Sequence, residues 1–306
     1  MNTNYYGESV KKIGLVTVLF NSPGVLPDFY SSIEKQNYLN THLYIVDNST
    51  NKDSENLTLE ILQSKNIQYT FISNEGNNVG VAQANNQGIS QALNDGCEYV
   101  LLTNNDLIFD GVDTLSSMLC LAEEEQCKLL SPVIFSYPEK KVWYAGAFFD
   151  KKKAIAPHLF EGADYHDVIA KIPKECDYAP TCFLLVHSSV FSDIGMMDAR
   201  YFAYYDDTDF LYRANQAGNS VRILNEPLVF HKVSTSTGGG LSLFGAYYLT
   251  RNRIFFARKN IEAPYYILSV AFTIVTRLIY PLCRKTPFKI YKAFIKGIFD
   301  GLALKK

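Results

Sequence analysis

Four groups of residues in this sequence have the types and spacing that chemistry needs. The densest is Asp206-Asp207-x-Asp209. Three carboxylates within four residues repel one another and raise each other's proton affinity, which a chain tolerates where a cation or a basic role is near. One of them can take a proton from an attacking hydroxyl. Asp209 stands four residues before Arg213, the spacing of a helical ion pair, so that pair reads as structural support. This leaves Asp206 and Asp207 at the helix entrance for chemistry. An acid-rich helix start of the ordinary kind is the plain alternative. The adjoining Tyr201, Phe202, Tyr204 and Tyr205 argue against a mere surface cap.

The second group is Asn104-Asn105-Asp106. A carboxylate just past a buried strand, flanked by amides, suits a divalent cation on a nucleotide diphosphate, with Asp106 toward the metal and Asn104 toward the ribose. Alone, the triplet is also a good turn. The third is His231, which follows Pro-Leu-Val-Phe and precedes the Ser/Thr/Gly stretch 234–240. A lone histidine is more often structural than a ligand, but its place after a strand keeps a metal role open. The fourth is Trp143, whose ring suits stacking on a sugar and suits a core equally well.

The elements that must position these groups alternate. Apolar, β-branched runs at 13–20, 42–47, 67–73 and 97–103 predict strands, and the segments 25–36, 54–65 and 80–95 between them predict helices. Such β-α alternation implies a parallel sheet with right-handed crossovers. Each strand ends in a polar cluster, so Asn21, Asp47, Asn77 and Asp106 are expected around one crevice at the carboxyl edge. Segments within 128–190 read as further strands or strand–helix joints, interrupted by an exposed excursion from Lys151 to Pro173.

Composition sets bounds. The 306 residues are 47% hydrophobic and 20% charged, with 21 Tyr and 20 Phe, which excludes a disordered or collagen-like chain. Net charge of −2 argues against nucleic acid as a partner. Six cysteines without C-x-x-C spacing read as reduced thiols, and the polar N-terminus reads as no signal peptide. Both point to a cytoplasmic protein.

The charge is unevenly spread. Residues 251–306 hold twelve Lys/Arg and two acids, a net of +10, so the first 250 carry −12. The longest apolar stretch, Tyr265–Thr276, is 12 residues, short of the ~20 that span a bilayer. After Thr286-Pro287 a helix is predicted, with Phe288, Tyr291, Phe294, Ile295, Ile298, Phe299 and Leu302 within about 140° of arc. Lys289, Lys292 and Lys296 flank that arc. The segment 286–306 reads as a membrane-surface element. The alternatives are packing on its own domain or a homodimer contact.

Taken in order, the motifs resemble the inverting family 2 glycosyltransferases, within them the rhamnosyltransferase-like group. VTVLFN (16–21) looks like the family's opening strand, and IVDNSTN (45–51) is similar to its nucleoside-binding V-D-N-x-S. NEGNNVGVAQANNQGI (74–89) resembles its N-x-G-x-x-x-x-x-N-x-G-I segment, and LLTNND (101–106) stands at its D-x-D-like metal motif. FAYYDDTDFLYRANQAG (202–218) matches F-x-Y-x-E-D-x-D-x-x-x-R-x-x-x-G with Asp206 in place of Glu. HKVSTSTGG (231–239) looks like its late histidine and Ser-rich loop. Ala179-Pro180-Thr181-Cys182 departs from the family, which often carries glycine there.

The resemblance implies an α/β GT-A fold, with a Rossmann-like, mostly parallel sheet and a C-terminal amphipathic helical tail. Residues 1–260 would be the transferase domain, with a nucleotide-sugar half at 13–110 and an acceptor half at 128–258, and 261–306 the tail. The implied reaction moves a sugar from a nucleotide diphosphate to a hydroxyl with inversion. Asp207 would be the general base, assisted by Asp206, and Asp106 and His231 would hold Mg²⁺ or Mn²⁺ and the diphosphate. Asn21, Asp47, Asn48, Asn77, Gly80, Asn85, Asn104, Asn105 and Trp143 would surround the nucleotide and donor. The leading donor is dTDP-rhamnose, with UDP-linked galactose, glucose or N-acetylglucosamine second. The acceptor would be a lipid-linked or growing bacterial surface glycan, such as capsule or O-antigen, reached by a peripheral enzyme at the inner membrane face. A nucleotidyltransferase is the competing enzyme class, but Asn21-Ser22-Pro23-Gly24 lacks the basic residue its loop would want. A non-catalytic nucleotide-sugar binding protein is the third reading, disfavoured by the cost of the acidic cluster.

Overall fold

The apolar runs at 13–19, 43–47 and 99–103 become strands buried on both faces, as expected of parallel strands covered by helices, while the edge run at 69–73 stays partly exposed. In chain order the first half is β1 (Ile13–Leu19), α1 (Leu26–Glu34), β2 (Thr41–Asp47), α2 (Asp53–Gln63), β3 (Tyr69–Ser73), α3 (Val81–Asn94) and β4 (Tyr99–Thr103). The second half is β5 (Leu107–Phe109), α4 (Thr114–Glu124), β6 (Leu129–Ser136), β7 (Val142–Tyr144), α5 (Tyr165–Val168), β8 (Glu175–Cys176), β9 (Phe183–His187), α6 (Ser188–Ile194), α7 (Asp206–Gln216) and β10 (Val221–His231). Three helices follow: α8 (Leu243–Asn260), α9 (Tyr265–Cys283) and α10 (Phe288–Ala303). The structure, a computed structural model, describes residues 11–232, 242–283 and 286–306. The Ser/Thr/Gly stretch 234–240 lies outside the described residues.

One curled sheet runs β3-β2-β1-β4-β9-β6-β10-β5, with β7 on β6 and β8 on β10. β1 to β4 are parallel, so their carboxyl ends share an edge. The second half is mixed: β9 runs antiparallel to both β4 and β6. The reason is where the chain arrives. The segment after β7 crosses the carboxyl edge, where Asn104 N donates to Cys182 O at 2.8 Å, so β9 starts at that edge and must run back.

The tail is packed, not detached. On α10, an added Cβ would stand 2.8 Å from Tyr247 O at Gly297 and 2.6 Å from Arg251 O at Gly301, so its backbone lies directly on α8. Phe294 and Ile298 are buried there, whereas Phe288 and Phe299 are exposed. The apolar arc predicted for this helix is therefore divided between α8 and solvent. No described helix is long and apolar enough to cross a membrane.

Candidate active site

Strand pairing assembles the first half of the site. β5 pairs antiparallel with β10 so that Leu107 faces His231, which sets Asp106, one residue before β5, beside the imidazole. His231 Nε2 is 3.4 Å from Asp106 Oδ1, and Lys232 N donates to Asp106 O at 2.9 Å. His231 Nδ1 is buried with no hydrogen-bond partner among the described residues. The same ladder delivers Trp143 through β7 and β6: its ring meets His231 edge-on, with centroids 4.3 Å apart. A second, half-buried ring, His158, takes another side of the indole at 4.8 Å and bonds Trp143 O through Nδ1 at 3.0 Å. Burial holds the His158 proton affinity below its ordinary value. Trp143 is thus wedged between two histidines rather than standing free as a platform.

The second half is the start of α7. Its N-terminal turn presents Asp206, Asp207 and Asp209, where unpaired backbone N–H groups favour negative charge. The three acids have different surroundings. Asp209 is fully buried and saturated: it accepts from Arg213 Nε (2.8 Å), Tyr201 Oη (3.0 Å), Lys259 Nζ (2.7 Å) and Asn260 Nδ2 (2.8 Å). Arg213 also donates to the carbonyls of Ile194 and Met196. This pair ties the turn to α6 and α8. Asp206 is buried without such cations; burial first, and Asp207 beside it second, push its proton affinity up to about 7. Asp207 is half-buried, accepts from Tyr178 Oη at 2.7 Å and from Thr208 N at 2.6 Å, and remains reachable.

The two halves are linked through a row of rings: Tyr178, bonded to Asp207, stacks on His158 with centroids 6.2 Å apart, and His158 and His231 both meet the Trp143 indole. The buried Cys182 thiol is pushed well above its ordinary value by burial, then by the charges of Asp106 and Asp207.

The turn leading into α7 is strained. Phe202, Tyr204 and Tyr205 have φ of 61°, 62° and 67°, the left-handed region that side chains disfavour. Fully buried Asn252 on α8 clamps this turn, donating to the carbonyls of Tyr201 (2.8 Å), Ala203 (2.7 Å) and Tyr204 (2.8 Å). From the other side Val81 N donates to Phe202 O at 2.6 Å. That close approach requires Gly80: its φ is +87°, and an added Cβ would stand 2.7 Å from Phe202 O.

Several amides expected around the donor are hydrogen-bonded to neighbouring loops. Asn48 has its polar capacity taken up within the protein: it donates to Asn78 Oδ1 (2.8 Å) and Gly80 O (3.3 Å), and accepts from Asn74 (3.2 Å) and Val79 N (3.0 Å). Asn21 bridges to Thr50 through both ends of its amide. Asn105 donates to Ser22 Oγ at 3.2 Å. Asn77 is exposed, and its neighbour Asn78 makes the loop contacts. Asn85 is buried on α3, while the adjacent Asn86 bonds both main-chain groups of Met197 at 2.8 and 3.0 Å. Asp47 is buried at the end of β2 and accepts from Ser49 N at 3.0 Å; Asn104 is exposed on the shared edge. Sequence reasoning missed Tyr178, Asn252 and Lys259, because no local pattern marks a residue whose partner lies in another element.

The family Glycosyl transferase family 2 matches residues 15–191. The chain belongs to this family. It is 24% identical over 312 residues to dTDP-rhamnosyl transferase RfbF of Shigella flexneri, covering 99% of this chain and 96% of that protein. Among solved structures, mannosyltransferase PcManGT from Pyrobaculum calidifontis, in complex with GDP-Man and Mn²⁺, superposes with a TM-score of 0.58 at 13% identity, covering 96% of this chain and 76% of that one. S. aureus TarS 1-349 with UDP-GlcNAc gives 0.61 at 15% identity, covering 95% and 80%. These likenesses establish the GT-A fold, and family membership makes the protein a glycosyltransferase.

Proposed function

We propose that this glycosyltransferase moves rhamnose from dTDP-rhamnose, with inversion, to a hydroxyl of a lipid-linked or growing bacterial surface glycan. The observation that carries the reaction type is the position of Asp207. It is oriented by Tyr178 and Thr208 at the head of α7, and ring contacts from Tyr178 through His158 and Trp143 connect it to His231 beside Asp106. The acceptor oxygen forms a bond to the sugar C1 as the bond from C1 to the diphosphate oxygen breaks. Asp207 takes the hydroxyl proton. Asp206, buried beside it and half-neutralised near pH 7, assists the acceptor. Asp47 contacts the base and Asn104 the ribose region.

Asp106 and His231 fit a divalent ion, Mg²⁺ or Mn²⁺. A buried imidazole nitrogen without a hydrogen-bond partner lies in the ring that approaches Asp106, and such ions take few protein ligands when phosphate oxygens complete the shell. When bound, the ion neutralises charge on the leaving diphosphate. The support for rhamnose is the RfbF relative; a UDP-hexose donor is the second reading, favoured by the TarS likeness. The tail at 286–306 is the expected contact with the inner membrane face.

A panel of nucleotide sugars with Mn²⁺, read by thermal stabilisation, tests the donor, since a ligand raises the midpoint by mass action. dTDP-rhamnose is expected to give the largest shift, and a larger shift from a UDP-hexose overturns that assignment. Asp207→Asn is expected to keep the shift and lose transfer by roughly 100-fold or more. Unchanged turnover removes Asp207 as the base.

A further inference from the structure

α9 packs Tyr266 and Val270 on the protein and presents a broad apolar stripe outward. At about 100° per residue, Ile267, Leu268, Phe272, Val275, Leu278 and Ile279 fall within about 140° of arc. All six are exposed, with Ile267 at 54%, Leu268 at 50%, Val275 at 51% and Ile279 at 49%. The opposite face carries Ser269 and Thr273, both at 0%. Their hydroxyls bond the helix's own carbonyls, Tyr266 O at 3.0 Å and Ser269 O at 2.7 Å. Ser269 and Thr273 face the protein beside Tyr266 and Val270, and the six stripe residues face outward. Twelve of the 19 large hydrophobic side chains exposed among the described residues lie at or after Leu243. An apolar stripe of this kind marks a surface that something covers.

Charge decides what covers it. Residues 261–306 hold eight Lys/Arg and two acids, a net of +6, and no Asp or Glu lies within α9. Two copies of such a surface repel one another. An anionic surface attracts it. A helix of 19 residues is about 28 Å long, sufficient to lie along a membrane, and it does not meet the apolar requirement for crossing one.

We infer that the outward stripe of α9 is the surface by which this protein lies on an anionic lipid bilayer. The inference goes beyond the transfer reaction and moves the main contact from α10 to α9. α10 has Phe294, Gly297, Ile298 and Gly301 committed to the protein interior. α9 also packs on α8, the helix whose Asn252 clamps the turn before Asp207.

The test is flotation of the full chain with phosphatidylcholine vesicles, with and without phosphatidylglycerol. The wild type is expected to float at least tenfold better with the anionic lipid and to be released by salt. Leu268→Glu/Val275→Glu is expected to lose flotation at least tenfold while keeping its melting midpoint and its shift with nucleotide sugar. Phe288→Glu/Phe299→Glu on α10 is expected to keep most of it. The inference is overturned if the wild type does not float, if the α9 variant floats as well as the wild type, or if only the α10 variant fails. It is also overturned if the wild type is a dimer that the α9 variant dissociates, because a second copy then covers the stripe. Flotation reads no catalysis, so any of these results leaves the transfer proposal standing.

Discussion

Removing the amide of Asn252 should slow catalysis without weakening donor binding. This side chain touches neither Asp206 nor Asp207; it holds three consecutive-turn carbonyls just before them. Its two N–H groups, shared among three acceptors, are worth about 0.5–1.5 kcal/mol each, or about 1–3 kcal/mol together. The turn they hold stores comparable strain. Three left-handed side-chain residues cost on the order of 1 kcal/mol each, about 3 kcal/mol in all. With clamp and strain so nearly matched, Asn252→Ala lets the turn relax and α7 start in a new place. A loss of about 2 kcal/mol lowers the melting midpoint of a chain this long by roughly 3 °C. A shift of Asp207 of about 1 Å costs up to about 100-fold in kcat. The donor contacts proposed at the ends of β2 and β4 rest on other elements, so the donor KM is expected to stay within about twofold. The assay is release of nucleoside diphosphate at saturating donor, alongside thermal melting. A variant that melts earlier but turns over within twofold of the wild type would falsify the clamp as a positioning device, leaving it a stabilising contact only.

Three further outcomes are expected. Asp206 has its folded proton affinity raised to about 7, above the unfolded value of about 3.9, so the unfolded state ionises first and stability falls as pH rises between them. Asp206→Asn should therefore stabilise the protein relative to wild type more at pH 8 than at pH 5, and an equal effect at both pH values contradicts the assignment. Treatment with EDTA should stop transfer and Mg²⁺ or Mn²⁺ should restore it; full activity in EDTA rejects the ion at Asp106 and His231. Gly80→Ala forces a side chain into φ +87° against Phe202, so a loss of about 2 kcal/mol or more and a reduced kcat are expected. A melting curve unchanged from wild type shows that the turn yields there.

The alternating strands and helices of the first half follow from local chemistry. Runs such as Ile13–Leu19 and Tyr99–Thr103 are apolar on both faces, and polar clusters end each one. Those signals act over a few neighbouring residues, so they are readable in order along the chain. The Asp209–Arg213 pair is of the same kind, because helix geometry alone brings i and i+4 together. The family motifs were legible for the same reason.

What tertiary structure alone decided is every relation between distant segments. Asp106 meets His231 only because β5 pairs with β10 in one register, which no property of either segment dictates. The three acids of α7 look equivalent in sequence; burial and the arrival of Lys259, Asn260 and Tyr201 make Asp209 structural, and Tyr178 singles out Asp207. The amides of the 74–89 loop divide between neighbours, Asn78 and Asn86 bonding where Asn77 and Asn85 do not, since a one-residue shift turns a side chain to a different face. The amphipathic tail was visible as a pattern, but periodicity gives the width of an apolar face and not what lies against it. Packing on α8 consumed half of α10 and turned the apolar stripe of α9 outward, and only the assembled fold distinguishes those two fates.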